Sequence, residues 1–432
     1  MATWRPRWPL VIVLAGVLAL GCTAAPAPSP GAGKPIRPAA RTNRASAGLG
    51  ATPGAGASAP ALGLPGEARV TPAPAGTALP SGPSGLEGGS VAPTATPTPT
   101  PRPSPTPRPT PTVGPDGGRT LAGTLESGVI DGPWDLARFQ GPEGLAVDAS
   151  GTVYVADTAA GMLRRVSASG DTLPLAGGGG FGLNDGIALS AGPNTGGASF
   201  QGPVGLAVAP DGALLVADTG NHAVRRVQGG RVTTLAGTGS PGWLDGAGRD
   251  AQLNGPRGLA VAADGTIFVA DTDNHRLRVI TPEGGVSTLA GTGSAALLDG
   301  EASAAAFNEP VSLVMEASGT LLVLDRGNKA IRRVTRDGAV TTVAGGVLNA
   351  QVDGVGSAAG FRAPSAIVEE APGTFLVADL IPPAVRRLTA DGQVTTVKTG
   401  PEVVAFASGG GRCYVILLNE PRVRVYELPL GP

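Results

Sequence analysis

The chain has 432 residues, with 69 Gly and 42 Pro but only 3% aromatic and 15% charged residues, a balance that excludes a predominantly helical protein and suits strands and turns joined to a segment that does not pack. The net charge of −1 is unevenly spread: residues 1–22 carry +2 and residues 23–118 carry +4, which leaves −7 on residues 119–432. An acidic folded part argues against nucleic acid as a partner, because binding there depends on cationic contacts to phosphate.

The first 22 residues read as an export signal. Arg5 and Arg7 form a positive head, and Pro9 to Leu20 an apolar core too short to cross a bilayer as a helix. The core ends in Leu-Ala-Leu-Gly-Cys, with small Gly21 before Cys22. This ending resembles the lipobox of bacterial lipoproteins, with Ala19 where that family usually has Leu. The resemblance implies that Cys22 is lipidated, becomes the mature N-terminus and anchors the chain to the membrane at the cell envelope, each buried methylene adding about 0.8 kcal/mol. The alternative, an ordinary cleaved secretory signal, also exports the protein.

Residues 23–118 show no apolar period. Ala, Pro, Gly, Ser and Thr dominate, and such a segment cannot bury enough surface to offset its ordering entropy. It is expected to be a disordered linker. From Thr94 to Thr112 Pro alternates almost strictly, which favours polyproline II and a semi-rigid spacer of about 3.1 Å per residue.

From Arg119 to Pro432 one unit recurs. Its opening is Gly-Pro-x-Gly-Leu-Ala-Val or a variant, with the Pro at 142, 203, 256, 310 and 364, spaced by 61, 53, 54 and 54 residues. A second apolar run ends in Asp157, Asp218, Asp271, Asp325 or Asp379, a third carries Arg164, Arg225, Arg278, Arg332 or Arg386, and a fourth reads like Val-Thr-Thr-Leu-Ala-Gly. Four short runs separated by turn residues make one propeller blade. A sixth, degenerate copy covers Val403 to Leu428 and lacks a fourth run, while Arg119 to Gly123 is a fourth run without a blade. The N-terminal strand can therefore complete the last blade and close a six-bladed ring without exposed edges.

The Gly-Leu-Ala-Val, Val-Ala-Asp-Thr and Asn-His elements, the last at Asn221-His222 and Asn274-His275 and more weakly at Asn328-Lys329, resemble the NHL repeat, named for Asn-His-Leu. The resemblance implies an all-β, six-bladed β-propeller of NHL type over 119–432. Some propellers that resemble this one are lyases, whose several His ligands have no counterpart here: His222 and His275 are the only histidines.

Gly-rich inserts separate the blades, each with an Asp-Gly: Asp131, Asp185, Asp245, Asp299 and Asp353. The inserts and the Asp157, Asp218, Asp271, Asp325 and Asp379 turns are expected to crowd one rim, with a notch beside blade 6, which no insert precedes. Ten carboxylates on one face could bind Ca²⁺ or a cationic ligand. The favoured reading is structural, since a fold-building device is needed in every blade and a site only once; Asp before a turn bonds nearby backbone. The histidines are likewise read as structural, and Cys413 as a core thiol with no disulfide partner. Trp134, Trp243, Leu297 and Leu298, in the inserts, either pin the loops or form an apolar contact patch. The expectation is a monomeric, non-catalytic binding or scaffold propeller for a protein, peptide or glycan, with no metal, cofactor or catalytic residue; the alternative is an extracytoplasmic metal-dependent lyase or lactonase-like enzyme.

Overall fold

A computed structural model describes residues 111, 113–114, 116–178, 180–189 and 197–430. The export signal with Cys22, and the linker as far as residue 110, lie outside the described residues. The described chain forms six antiparallel sheets arranged as a propeller. Blade 1 runs through Pro142–Val147, Val153–Asp157, Met162–Val166 and Thr172–Gly177. Blades 2 to 5 repeat this plan from Pro203, Pro256, Pro310 and Pro364. Adjacent first strands touch one another all round the axis, blade 6 against blade 1 included. Each blade therefore has its first strand innermost and its fourth on the outer side.

Blade 6 consists of Val403–Gly409, Arg412–Leu417 and Glu420–Glu427, completed by Arg119–Ala122. Arg119 pairs with Val425 and Thr120 with Arg424, so the last strand has partners on both edges. The closure extends further back than the strand. Asp116 accepts hydrogen bonds from Arg424 Nη2 at 2.7 Å and from the Tyr426 hydroxyl at 2.8 Å.

Against the expectation of inserts crowded on one rim, the middle of each runs down the outer flank of its blade. Gly186–Ile187, Gly246–Ala247 and Gly354–Val355 add a fifth strand outside the fourth in blades 2, 3 and 5. In blades 1 and 4 the same place is held by single bridges, Gly132 to Thr172 and Gly300 to Val340. The fourth strand would otherwise present an unpaired row of N–H and C=O groups, and the insert supplies partners for them.

The hydrophobic core is divided into six clusters, each between two neighbouring blades. Five contain the apolar residue that ends an insert: Phe139, Phe200, Leu253, Phe307 and Phe361, all fully buried. Between blades 5 and 6, where only residues 400–402 join the sheets, Phe406, Tyr426 and Leu430 fill the gap together with buried Cys413, whose thiol burial pushes up to about 12. The Gly of the opening motif has a steric reason. A Cβ on Gly144 would lie 1.8 Å from the Val204 carbonyl oxygen, and one on Gly205 1.7 Å from that of Arg257. The innermost strands of blades 1 to 3 approach backbone to backbone at these points.

Candidate functional site

The two rings of Asp are joined by the ring of Arg. In blade 4, Arg332 Nη1 donates to Asp325 Oδ2 at 2.8 Å, and Nη2 to Asp299 Oδ1 at 2.7 Å. The same two nitrogens bond the carbonyls of Ala306 and Leu298 in the insert, and the guanidinium lies 5.2 Å from the Phe307 ring centre. Arg225 and Arg278 hold Asp218 with Asp185, and Asp271 with Asp245, in the same way. Arg164 joins Asp157 and Asp131, and Arg386 joins Asp353 closely with Asp379 at 3.8 Å. All five guanidiniums are fully buried. Each fork reaches two carboxylates and two carbonyls because the planar guanidinium presents its donors at fixed angles.

The second-strand carboxylates do not bond backbone two residues on, as turn chemistry suggests. Their other oxygen takes an N–H from 17 residues earlier, such as Gln201 to Asp218 at 2.8 Å and Asn308 to Asp325 at 2.7 Å. The local Asx bond occurs instead in the turns between first and second strands, where Ala213 N–H donates to Asp211 and Thr266 N–H to Asp264. Burial pushes the carboxyls of Asp157, Asp218, Asp271, Asp325 and Asp379 up, against their hydrogen bonds and the nearby guanidiniums, and Asp157 reaches about 6. Burial also pushes the insert carboxyls of Asp185, Asp299 and Asp353 up. There the bonds from Thr234, Thr342 and Thr396 and from Arg outweigh it and leave them low.

The Asn-His pair ties blades together. Asn221 and Asn274 donate to Asp218 and Asp271 and to the carbonyls of Gly182 and Gly242 in the inserts. His222 and His275 stand in left-handed backbone conformation, φ 51° and 53°. Their Nδ1 atoms accept the N–H of Gly255 and Glu309, at the start of the next blade. Burial moves His222 below its usual range. Among the described residues no three His, Cys, Asp or Glu side chains converge to hold a metal ion.

The four apolar candidates separate. Trp243 is 61% exposed, with the Arg276 guanidinium 5.0 Å from its ring centre. Arg276 also donates to the Thr292 carbonyl at 2.9 Å, so it links the inserts of blades 3 and 4. Leu297 and Leu298 are exposed on the second of these, and Leu297 lies against Gly346 of the following insert. Trp134 is half-buried beside Gly170, in the turn between third and fourth strands, away from the other three. The structure adds Phe181 and Leu244, both exposed, and half-buried Leu183, which leans on Gly239 as Leu297 leans on Gly346. The signal for Leu183 was available: Leu183, Trp243 and Leu297 each stand two residues before an insert Asp. Arg276 carried a signal too, since it stands where the other repeats have Met162, Ala223, Ala330 and Ala384.

The NHL repeat family matches residues 139–161, 200–227 and 253–280. The chain carries NHL repeats. Each match starts at the buried Phe or Leu that ends an insert, and together they cover parts of blades 1 to 3; blades 4 to 6 follow the same plan in the structure without matching. The chain is similar to the protein SUPPRESSOR OF QUENCHING 1, chloroplastic, of Arabidopsis thaliana, at 36% identity over 138 residues, which are 29% of this chain and 12% of that protein. The chain thus spans only a small part of that relative's length. Among solved structures it resembles a protein of unknown function from Bacteroides thetaiotaomicron, with TM-score 0.52 and 16% identity over 71% of this chain and 74% of the other. It also resembles an auxiliary nutrient binding protein from the same organism, with TM-score 0.51 and 13% identity over 71% and 75%. At these identities the likeness is one of fold, which by itself does not assign a function.

Proposed function

We propose that this chain is a binding propeller, anchored at the cell envelope through Cys22, that captures a protein, peptide or glycan on the insert-bearing end of the ring without catalysing a reaction on it. The observation that carries the reading is the exposed apolar set on adjacent inserts, Trp243, Leu244, Leu297 and Leu298, with Trp243 held in place by Arg276. Exposed apolar side chains grouped on a rigid scaffold are what a contact surface requires. The repeated carboxylates are engaged by Arg in each of blades 1 to 5, which supports a role in building the ring. Trp134 lies apart and contributes nothing to this surface. The likeness in fold to an auxiliary nutrient binding protein is compatible with this reading. No described helix is long and apolar enough to cross a membrane.

The test compares the full-length chain with its Trp243→Ala/Leu297→Ser variant as bait for envelope extract. Loss of the captured partner, with unfolding midpoint unchanged, is the expected result; equal capture overturns the rim reading. Cys22→Ala should shift the chain from the membrane to the soluble fraction, and unchanged membrane retention overturns the anchor. Stoichiometric metal in the purified chain, with an activity lost to chelator, would favour the lyase or lactonase-like alternative.

A further inference from the structure

Blade 1 departs from its sisters on the outer flank. In its insert Trp134 and Leu136 follow the Asp by three and five residues. The inserts of equal length on blades 3, 4 and 5 have Gly248, Ala302 and Gly356 at the first of these places, and Asp250, Ala304 and Ala358 at the second. On the fourth strand, Leu173 takes the place of Thr233, Ser287, Thr341 and Thr395, each paired with the residue after the buried Arg. The structure brings these departures together. Gly132 and Thr172 exchange two hydrogen bonds, at 2.9 and 2.7 Å, which sets the insert alongside Leu173. The insert then turns tightly, with the N–H groups of Leu136 and Ala137 both donating to the Pro133 carbonyl. Leu136 is 60% and Leu173 46% exposed, and Trp134 is half-buried. Leu125, Val129 and Ile130 of the same insert are exposed as well.

Exposed apolar side chains grouped in this way mark a contact surface, and the chain supplies an occupant close by. Gly123, directly after the strand Arg119–Ala122, donates to the Trp134 carbonyl at 2.9 Å. A Cβ on Gly170 would lie 2.1 Å from the Leu121 carbonyl oxygen and 2.7 Å from Trp134 Cβ. The patch therefore adjoins the strand by which the linker enters the ring. That strand spans only about 13 Å. Ahead of it, residues 97–111 carry Pro at every second position. In polyproline II conformation, at about 3.1 Å per residue, this stretch extends about 45 Å, more than enough to double back to blade 1. It matches the patch in chemistry too. A polyproline II segment offers its pyrrolidine rings to Trp and aliphatic side chains and has little entropy to lose on docking. Arg102 and Arg108 belong to a linker of +4 that meets a ring of −7, so the long-range field favours the contact.

We propose that residues 97–111 dock on the outer flank of blade 1, against Trp134, Leu136 and Leu173, and so hold the ring in one orientation on its linker. The contact lies within one chain, so the linker meets the patch at an effective concentration in the millimolar range and a weak affinity fills it. A structural device of the ring is needed in every blade; an apolar flank present once, beside the point of entry, suits a segment present once. The contact does not depend on what the insert-bearing end binds.

The test measures the distance between two nitroxide labels by pulsed electron paramagnetic resonance, in the full-length chain with Cys22→Ala. Cys413 is buried, with its thiol pushed up to about 12, and stays unlabelled. One label is placed through Ser104→Cys in the linker and the other through Ser169→Cys in the turn beside Gly170. A single narrow distance distribution is expected. The variant Trp134→Ala/Leu136→Ala/Leu173→Thr installs residues that sister blades already carry at these places, so it should keep the circular dichroism of the parent chain. Its distance distribution should broaden to that of an undocked coil. A mixture of the two singly labelled chains should show no distance peak. A broad distribution in the parent chain, or a narrow peak that survives in the variant, overturns the proposal. The same peak in the mixture also overturns it, because it marks the linker of a second copy as the occupant.

Discussion

Replacing Arg332 by Met should expose how strongly each blade depends on its guanidinium. Arg332 and Asp325 are both fully buried and 2.8 Å apart. The substitution keeps the aliphatic volume against Phe307 but removes four hydrogen bonds, to two carboxylates and two carbonyls. Asp325 then keeps only the donors of Asn308 N–H and Asn328 Nδ2 in a site closed to water. Most of the destabilisation therefore comes from the uncompensated buried carboxylate, and removing one partner of a buried pair costs about 3–5 kcal/mol. Against a typical domain stability of about 5–15 kcal/mol this is a large fraction. The assay is urea unfolding of the full chain followed by circular dichroism. Combining Arg332→Met with Asp325→Asn removes the stranded charge and should recover about 1–3 kcal/mol, the usual coupling between contacting residues. A loss below about 1 kcal/mol for the single variant, or no recovery in the double, refutes the reasoning. Blade 4 is the informative place, because it lies outside the three matched repeats.

Three further outcomes follow from the ring. Deleting residues 113–123 uncovers one edge of Glu420–Glu427 and removes the Asp116 contacts, so the variant should elute as dimers or larger species in size-exclusion chromatography; a monodisperse monomer would contradict the closure. Gly144→Ala places a Cβ 1.8 Å from the Val204 carbonyl oxygen and should cost about 1–3 kcal/mol in urea unfolding, whereas a neutral result would mean that the innermost strands are looser than described. Asp157 tests pH dependence: burial lifts its carboxyl to about 6 in the fold, above the value of about 3.9 in an unfolded chain. Its contribution to stability is thus fully present below about pH 4 and lost as pH rises through about 6. Asp157→Asn should flatten that arm, and a stability difference from wild type that stays constant between about pH 4 and 7 would count against it.

The blade count and the closure of the ring were legible in the sequence, and for a physical reason. Strand and turn signals act over a few residues, so Gly-Pro, Val-Ala-Asp and Val-Thr-Thr repeat visibly wherever the backbone does the same thing. The unpaired first three strands at one end and the lone fourth strand at Arg119 then have only each other as partners. That Arg225 and its sisters pair with carboxylates was also within reach, since their columns match one to one. What only the tertiary structure decided are the relations across the ring. The inserts run down the outer flank because the fourth strand's edge needs partners, a demand no local signal in the insert expresses. Asp218 takes its N–H from Gln201 and not from its own turn because the neighbouring strand start is brought there by the blade's geometry. Trp134 and Trp243 looked alike as aromatic insert residues, yet one lies beside the turn at Gly170 and the other is exposed over Arg276.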